Sequence, residues 1–371
     1  MILIYGATGF TGTLVAQALI ERGAPTAIAG RDNRRLAELA AELGGEVEIR
    51  SAHVHEPATL LDALDGCRVV VNCAGPFSRL GEPVVRAAID RGVHYIDTSG
   101  EQAFLRAIYE RYESLARRRG ISVVNGCAFE VAIGDWAGAI AARHGMTGAD
   151  IDDPEPLDEL IVAYAIAGLR TTRGTQLSAI ESLSQPGSVW RIDRWEPITP
   201  GAQTRIIEFS YPFGRRETLS IPSGEVITLP RHSPARFVQT YLSLSGDTGV
   251  SRAINRLANL ISPALPVLVA SPLGALAKAR VGIAGSEPNR REREANQWSV
   301  VAEAARGRQR ARVEVSGFDL YGISAEIAAN AALVLYETGR ARSGVLAPSE
   351  LIVPEAGLGA LDVDTRVTPA V

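Results

Sequence analysis

Short apolar runs alternate with stretches of helical periodicity through the first part of the chain. Met1–Tyr5 is an apolar run that breaks at Gly6, and Thr11–Arg22 follows with helical spacing. Pro25–Ala29 is a second apolar run, and Asn33–Leu43 places Leu36, Leu39, Ala40 and Leu43 on one helical face. Val47–Arg50 fits a third strand, and Pro57–Leu64 a helix with proline at its first position. Arg68–Cys73 is a dense β-branched strand, and Glu82–Arg91 a helix stopped by Gly92. Val93–Asp97 reads as a strand, Gln102–Arg119 as a helix stopped by Gly120, Ile121–Asn125 as a sixth strand, and Ile133–His144 as a helix. Buried strands alternating with amphipathic helices predict an α/β domain whose doubly wound parallel sheet is covered on both faces.

The pattern changes after Met146. The segment 147–158 is polar, acidic and proline-containing, as a linker is. Longer alternating strands follow at Glu159–Ala167, Ser188–Trp195, Arg205–Tyr211, Glu217–Ile221 and Arg236–Leu244. Trp298–Ala305 and Gln309–Gly317 flank Arg306-Gly307-Arg308, a hairpin signal, and an alanine-rich helix is expected over Ile323–Glu337. The expected division is therefore 1–146 for the first domain and 147–371 for a second α+β domain with a mainly antiparallel sheet. Its C-terminal tail is expected to pack back on one of the two domains. Leu257–Gly282 is apolar but interrupted by Pro263, Pro266 and Pro272. Those prolines favour a broken helix pair, under the sheet or at a homodimer contact, over a membrane-grazing or lipid-binding helix.

With 371 residues, 46% hydrophobic and 22% charged, the composition is that of a globular enzyme. A net charge of −4 gives no electrostatic reason to expect nucleic acid. Cys67, Cys73 and Cys127 make no disulfide framework and have no metal-ligand spacing, so no metal is expected. The opening residues lack the basic, apolar and cleavage regions of a secretion signal, and no long uninterrupted apolar run suggests a membrane span, so a cytoplasmic location is expected. Among 38 basic residues Lys278 is the only lysine, and Gly274 stands four positions before it. A Tyr-x-x-x-Lys acid of the short-chain dehydrogenase kind is therefore absent, and mechanisms built on active-site lysines are disfavoured.

Gly6-Ala7-Thr8-Gly9-Phe10-Thr11-Gly12 follows the first strand and opens a helix. Glycine serves the tight turn at 6, the backbone approach to a pyrophosphate at 9 and close helix–strand packing at 12, as in a Rossmann dinucleotide site. At the end of the second strand an acidic residue would hold a ribose 2′-hydroxyl. Here Ala29-Gly30-Arg31 stands instead, and Arg31, joined by Arg34 or Arg35, suits a 2′-phosphate, so NADP is the expected cofactor. Asp32 is the one nearby residue that argues the other way. Asn72-Cys73-Ala74-Gly75-Pro76-Phe77, Asp97-Thr98-Ser99-Gly100-Glu101 and Gly126-Cys127-Ala128-Phe129-Glu130 follow later strands. They are expected to surround the nicotinamide and substrate.

Together GATGFTG, AGR, NCAGPF and YIDTSGE resemble the saccharopine dehydrogenase-like NADP-binding family, and most of all its trans-acting enoyl reductase branch. Arg173-Gly174-Thr175 with Ser178 is similar to that branch's G-T-x-x-S segment. The branch's Gly-Phe-Asp-x-x-Pro-x-Asp segment is altered here to Ala128-Phe129-Glu130-Val131-Ala132-Ile133-Gly134-Asp135. The resemblance implies hydride transfer from NADPH, to a C=C bond of a polyketide- or lipid-like intermediate in that branch. The small-molecule substrate is then apolar.

Hydride transfer needs a proton donor rather than a covalent protein step. Asp97, Glu101, Glu130, Cys127 and His94 are the candidates. Glu101, after a glycine turn, is the first choice and Glu130 the second. The bland alternative for Glu101 is a carboxylate favoured by a helix dipole, and for His94 a structural histidine. Asn125-Gly126-Cys127-Ala128 loosely resembles a thioester-forming nucleophile segment, although no paired histidine accompanies it. Arg170 and Arg173 keep reduction of an imine, as in saccharopine chemistry, open. A non-catalytic NADP-binding sensor and a lipid-associated protein are the alternatives of other classes.

Overall fold

The computed structural model describes residues 1–44, 47–145, 155–183, 186–243, 287–338 and 342–369. The apolar segment 257–282 and most of the expected linker lie outside them. The chain forms two compact units, Met1–Phe129 with Tyr321–Ile352, and Glu130–Leu320 with Val353–Val371. The first change-over thus falls ahead of the polar segment after Met146, and the alanine-rich helix and the strand after it belong to the first unit.

Among the described residues the first unit is built on seven strands. These are β1 (Ile2–Tyr5), β2 (Thr26–Gly30), β3 (Glu48–Ser51), β4 (Val69–Asn72), β5 (His94–Asp97), β6 (Ser122–Val124) and β15 (Gly344–Leu346). Their order is β15-β6-β5-β4-β1-β2-β3, with every neighbouring pair parallel. β1, β4 and β5 are buried at every position, as strands covered on both faces must be. The order reverses direction between β1 and β4, and ligands lie beyond the carboxyl ends of strands at such a switch point. Three-residue β15, taken from far along the chain, gave no periodicity to read.

Helices α1 (Phe10–Glu21), α2 (Asn33–Glu42), α3 (Pro57–Ala63), α4 (Phe77–Arg91) and α5 (Gln102–Arg119) connect the strands. α4 begins at Phe77 rather than at the expected Glu82, and carries Pro83 inside it. The cause is a distant cap. The Glu101 carboxylate, 24 positions on, accepts the Phe77 N–H at 2.7 Å. It also accepts the Ser78 N–H at 2.8 Å. Gly81 lets α4 and α5 come close enough for this, because a Cβ there would stand 2.6 Å from the Phe104 ring. Phe77 and Phe104 stack beside it with ring centroids 5.8 Å apart.

In the second unit the described strands are β7 (Glu159–Ala167), β8 (Gly187–Arg191), β9 (Arg194–Ile198), β10 (Thr204–Glu208), β11 (Arg215–Ile221), β12 (Phe237–Ser243), β13 (Gln297–Arg306), β14 (Gln309–Phe318) and β16 (Val363–Thr368). They run β10-β11-β12-β7-β13-β14-β16, with β8 paired to β12 and β9 to β8. All pairs are antiparallel except β12 with β7, so the sheet is mixed. The expected hairpin is β13–β14, turning on Gly307 at φ 56°. Ser188–Trp195, expected as one strand, is instead part of a second hairpin. Ile192 and Asp193 take φ 45° and 61° there, and a β-branched residue gave no turn signal. Before this sheet a single π-helical turn, Phe129–Ile133, leads into the buried α6 (Gly134–Gly145), which lies against β13 and β14. Among the described residues no helix is long and apolar enough to cross a membrane.

Replacing Gly81 by valine should press on Phe104 and move α4 off α5. The expected loss is about 1–3 kcal/mol, typical of an overpacked core. Urea unfolding followed by circular dichroism measures it, and an unchanged midpoint would show that the helices have room to spare.

Candidate functional site

The glycine turn is shaped by close approach rather than by freedom alone. Gly6 has φ +79°, and a Cβ on it would stand 2.9 Å from Ala74. A Cβ on Gly12 would stand 2.4 Å from the Gly6 carbonyl oxygen, so α1 could not start where it does. Gly9, exposed, is the cap of α1, offers no side-chain acceptor, and no acidic residue follows in the first turn. A helix start that has no carboxylate of its own and a bare backbone suits a pyrophosphate. Thr8 and Thr11 flank this point half-buried. Phe10 packs edge-on to Tyr321 at 5.2 Å and pins the turn to the alanine-rich helix Leu320–Thr338.

At the end of β2 the acidic residue is already in use. Asp32 caps α2, its Oδ1 accepting the Arg34 and Arg35 N–H groups at 3.1 Å each. Arg34 pairs with Glu38 at 3.5 Å. Arg35 reaches back so that Nη2 donates to the Thr8 carbonyl at 3.1 Å, placing its guanidinium at the glycine turn. Arg31 is exposed, and its charge opposes the rise that burial imposes on the Tyr5 hydroxyl. Arg31 and Arg35 are thus the cations that could hold a 2′-phosphate.

Beyond β4, β5 and β6 the expected loops are tied to one another. Asn72 is buried, its Oδ1 accepting the Ala74 N–H and its Nδ2 donating to Tyr95 Oη, both at 3.0 Å. Tyr95 donates in turn to Asp97 Oδ2 at 3.0 Å. Asn125 Nδ2 donates to the same oxygen at 2.6 Å. Asp97 Oδ1 accepts the Ser99 N–H at 3.1 Å and the Gly126 N–H at 2.9 Å. Ser99 Oγ accepts the Glu101 N–H at 3.1 Å. Burial pushes the Asp97 carboxyl up to about 6, although these four donors pull it back towards the charged form. Glu101, the first-choice donor, has both oxygens engaged at the start of α4 and holds the Asn72–Phe77 loop to Gly100 and Ser99. Burial pushes the Cys73 thiol to about 12, which leaves it neutral. Cys127 is 1% exposed, a setting for packing rather than for nucleophilic attack. His94 accepts the Ser122 N–H on Nδ1, and burial lowers its basicity, as fits a structural histidine. His53 and His55 share a loop, and the His55 N–H points at His53 Nδ1 at 3.2 Å. Among the described residues no group of three or more side chains could hold a metal ion.

The second unit has a buried acid cluster that the sequence did not mark. The Glu225 carboxyl touches the hydroxyls of Tyr164 and Ser223. Those hydroxyls also reach the Glu130 carbonyl, at 3.2 and 3.3 Å. Gly134 lets them in, since a Cβ there would lie 2.5 Å from both Glu225 Oε1 and Tyr164 Oη. Asp135 beside it is fully buried and pairs with His232 Nε2 at 2.9 Å, while His232 Nδ1 meets Ser233 Oγ at 3.0 Å. Burial first, and the Asp135 charge further, push Glu225 up to about 8. When protonated it can donate to Tyr164, whose own proton then serves the Glu130 carbonyl. The Glu130 side chain itself is exposed. These partners come from strands and turns far apart in sequence, so no local motif announces them.

The folded chain holds the Glu225 proton more tightly than an unfolded chain with a value near 4.5. Stability from this group is therefore full below about pH 4.5 and is lost as pH rises to about 8. Glu225→Gln keeps both hydroxyl contacts and should flatten that decline. Urea midpoints of both proteins between these limits test it, and parallel curves would rule out Glu225 as the titrating group.

Comparison with known proteins bears on the first unit above all. Residues 2–124 match the family model described as the saccharopine dehydrogenase NADP binding domain. A saccharopine dehydrogenase-like oxidoreductase of Bos taurus is 34% identical over 216 residues, 54% of this chain and 49% of its own. A provisionally named trans-acting enoyl reductase of Mycobacterium tuberculosis is 36% identical over 134 residues, 35% of this chain and 32% of its own. The matched region thus spans half or less of the length of these curated relatives. Among solved structures, apo saccharopine dehydrogenase (L-Glu forming) of Saccharomyces cerevisiae superposes with a TM-score of 0.63 at 13% identity, covering 99% of each chain, a likeness of fold. The glycine turn and the guanidinium-bearing strand end thus lie within residues 2–124, which match the saccharopine dehydrogenase NADP binding domain, and the cofactor is NADP.

Proposed function

We propose that the chain is an NADPH-dependent reductase that delivers hydride to a C=C bond of an apolar, polyketide- or lipid-like intermediate. The observation that carries the cofactor half of this reading is the end of β2. Arg31 stands there and Asp32 is spent on capping α2, so the position favours a phosphate over a ribose hydroxyl. The enoyl half is supported by the mycobacterial relative and by the motifs shared with its branch. When bound, the nucleotide supplies the hydride. This chain's residues then do three things: α1 and Gly9 receive the pyrophosphate, Arg31 and Arg35 hold the 2′-phosphate, and the Asn72–Phe77, Ser99–Gly100 and Gly126–Cys127 backbones frame the other half.

Both oxygens of Glu101 serve backbone N–H groups. We therefore give Glu101 a holding role and propose Glu130, the second carboxylate of the strand-end loops, as the proton donor. A cytoplasmic location and a small-molecule substrate complete the proposal.

Arg31→Asp should weaken NADPH by about tenfold or more, the scale of one charge-assisted contact, with NADH little changed. Asp32→Ala should cost about 1 kcal/mol of stability through its lost cap while leaving the NADPH-over-NADH preference intact. Fluorescence titration reads both, and equal loss of the two nucleotides in Arg31→Asp would make that residue structural. Turnover is tested by NADPH oxidation with enoyl thioesters and, separately, cyclic imines. Imine turnover alone would overturn the enoyl assignment, and tight binding without turnover of either would mark a sensor.

A further inference from the structure

We infer that Asp97 is a positioning residue for the nicotinamide-bearing half of the nucleotide, acting through the backbone of three strand-end loops. The inference rests on the NADP reading of the domain and adds to it a division of labour within the site. Asp97 is the last residue of β5 and is fully buried. Its carboxylate accepts four donors, one pair on each oxygen. Ser99 N and Gly126 N meet Oδ1, while Tyr95 Oη and Asn125 Nδ2 meet Oδ2. Its own carbonyl accepts the Cys127 N–H at 2.8 Å. Through Tyr95 and Asn72 the same carboxylate reaches the Ala74 N–H. The loops that follow β4, β5 and β6 are thereby fixed by one side chain.

A carboxylate answers this geometry with both oxygens. Two of the four donors, the Ser99 and Gly126 amides on Oδ1, can only donate. An asparagine that keeps its oxygen on those amides would turn its NH2 towards Tyr95 Oη and Asn125, so that the tyrosyl proton and the Asn125 amide must both reorient and the tie towards Asn72 is disturbed. Burying a charge is costly, and an apolar residue would pack at this strand end without that cost. What the charge adds is position: three loops are held at the strand ends where ligand lies past the β1–β4 switch point.

The other half of the site is held by different means. Arg35 is tied to Thr8, and Asp32 caps α2. The adenosine end and the nicotinamide end therefore stand on separate supports. A residue that merely stabilises the fold would affect both ends alike, whereas a positioning residue affects one.

Two ligands separate these cases. Adenosine 2′,5′-bisphosphate carries the 2′-phosphate end without the nicotinamide, and NADPH carries both. Asp97→Asn should weaken NADPH by about tenfold or more, and leave adenosine 2′,5′-bisphosphate within about twofold. Tyr95→Phe, which removes the hydroxyl that links Asp97 to Asn72 and keeps the packed ring, should shift NADPH in the same direction by about threefold. It also serves as the test if Asp97→Asn does not fold. Binding is read by isothermal titration on full-length protein at neutral pH. Equal weakening of both ligands, or no change in NADPH, overturns the positioning role while leaving NADP binding in place. A wild-type chain that binds neither ligand overturns the nucleotide reading and this inference together.

Discussion

Backbone N–H groups at the carboxyl ends of buried parallel strands must find acceptors, because leaving them unmatched costs about 1–3 kcal/mol each. Here two buried carboxylates supply those acceptors. Asp97 takes the Ser99 and Gly126 amides, and Glu101 takes those of Phe77 and Ser78. The start of α4, the course of the Asn72–Phe77 loop and the loop after β6 all follow from where these two side chains sit. Helix packing supports the arrangement, since Gly81 and Phe104 set the distance between α4 and α5 that brings Glu101 within reach. Structure and site are thus the same network seen from two sides.

The arrangement divides the site by charge. Acids face inward under the loops past β4, where they are consumed by amides. Cations stand at the end of β2, where Asp32 is withdrawn into a helix cap, Arg35 reaches the glycine turn and Arg31 is exposed. An anionic adenosine bisphosphate and a less charged nicotinamide match that division. The second unit repeats the use of buried acid in another form. The Tyr164 and Ser223 hydroxyls, both in contact with Glu225, converge on the carbonyl of Glu130 and hold its backbone.

Periodicity made the first six strands, their helices and the glycine turn legible, because each is coded by residues adjacent in sequence. β7 was read with its bounds intact for the same reason: alternation over Glu159–Ala167 is a local signal. What escaped depends on partners remote in the chain. α4 starts early because of a cap 24 residues away. β15 is a strand only because β6 offers it an edge. Ile192 sits at positive φ inside a hairpin that a β-branched residue would not suggest. The candidate site was legible as types of residue at strand ends, but not as roles. Glu101 has the residue type of a proton donor, yet both its oxygens accept backbone N–H groups, and Asp32 has that of a rival to Arg31, yet it caps α2. Glu225, Asp135 and His232 carried no local pattern at all.

Hydrogen exchange of the ligand-free protein tests the central claim most directly, since the two carboxylates are held to build the strand-end loops before any nucleotide arrives. The account predicts that the amides of Phe77, Ser78, Ser99 and Gly126 are strongly protected in the apo protein and gain little on adding NADPH. Fast exchange at these four amides, slowed only by NADPH, would contradict it and make the loops a product of the ligand rather than of the chain.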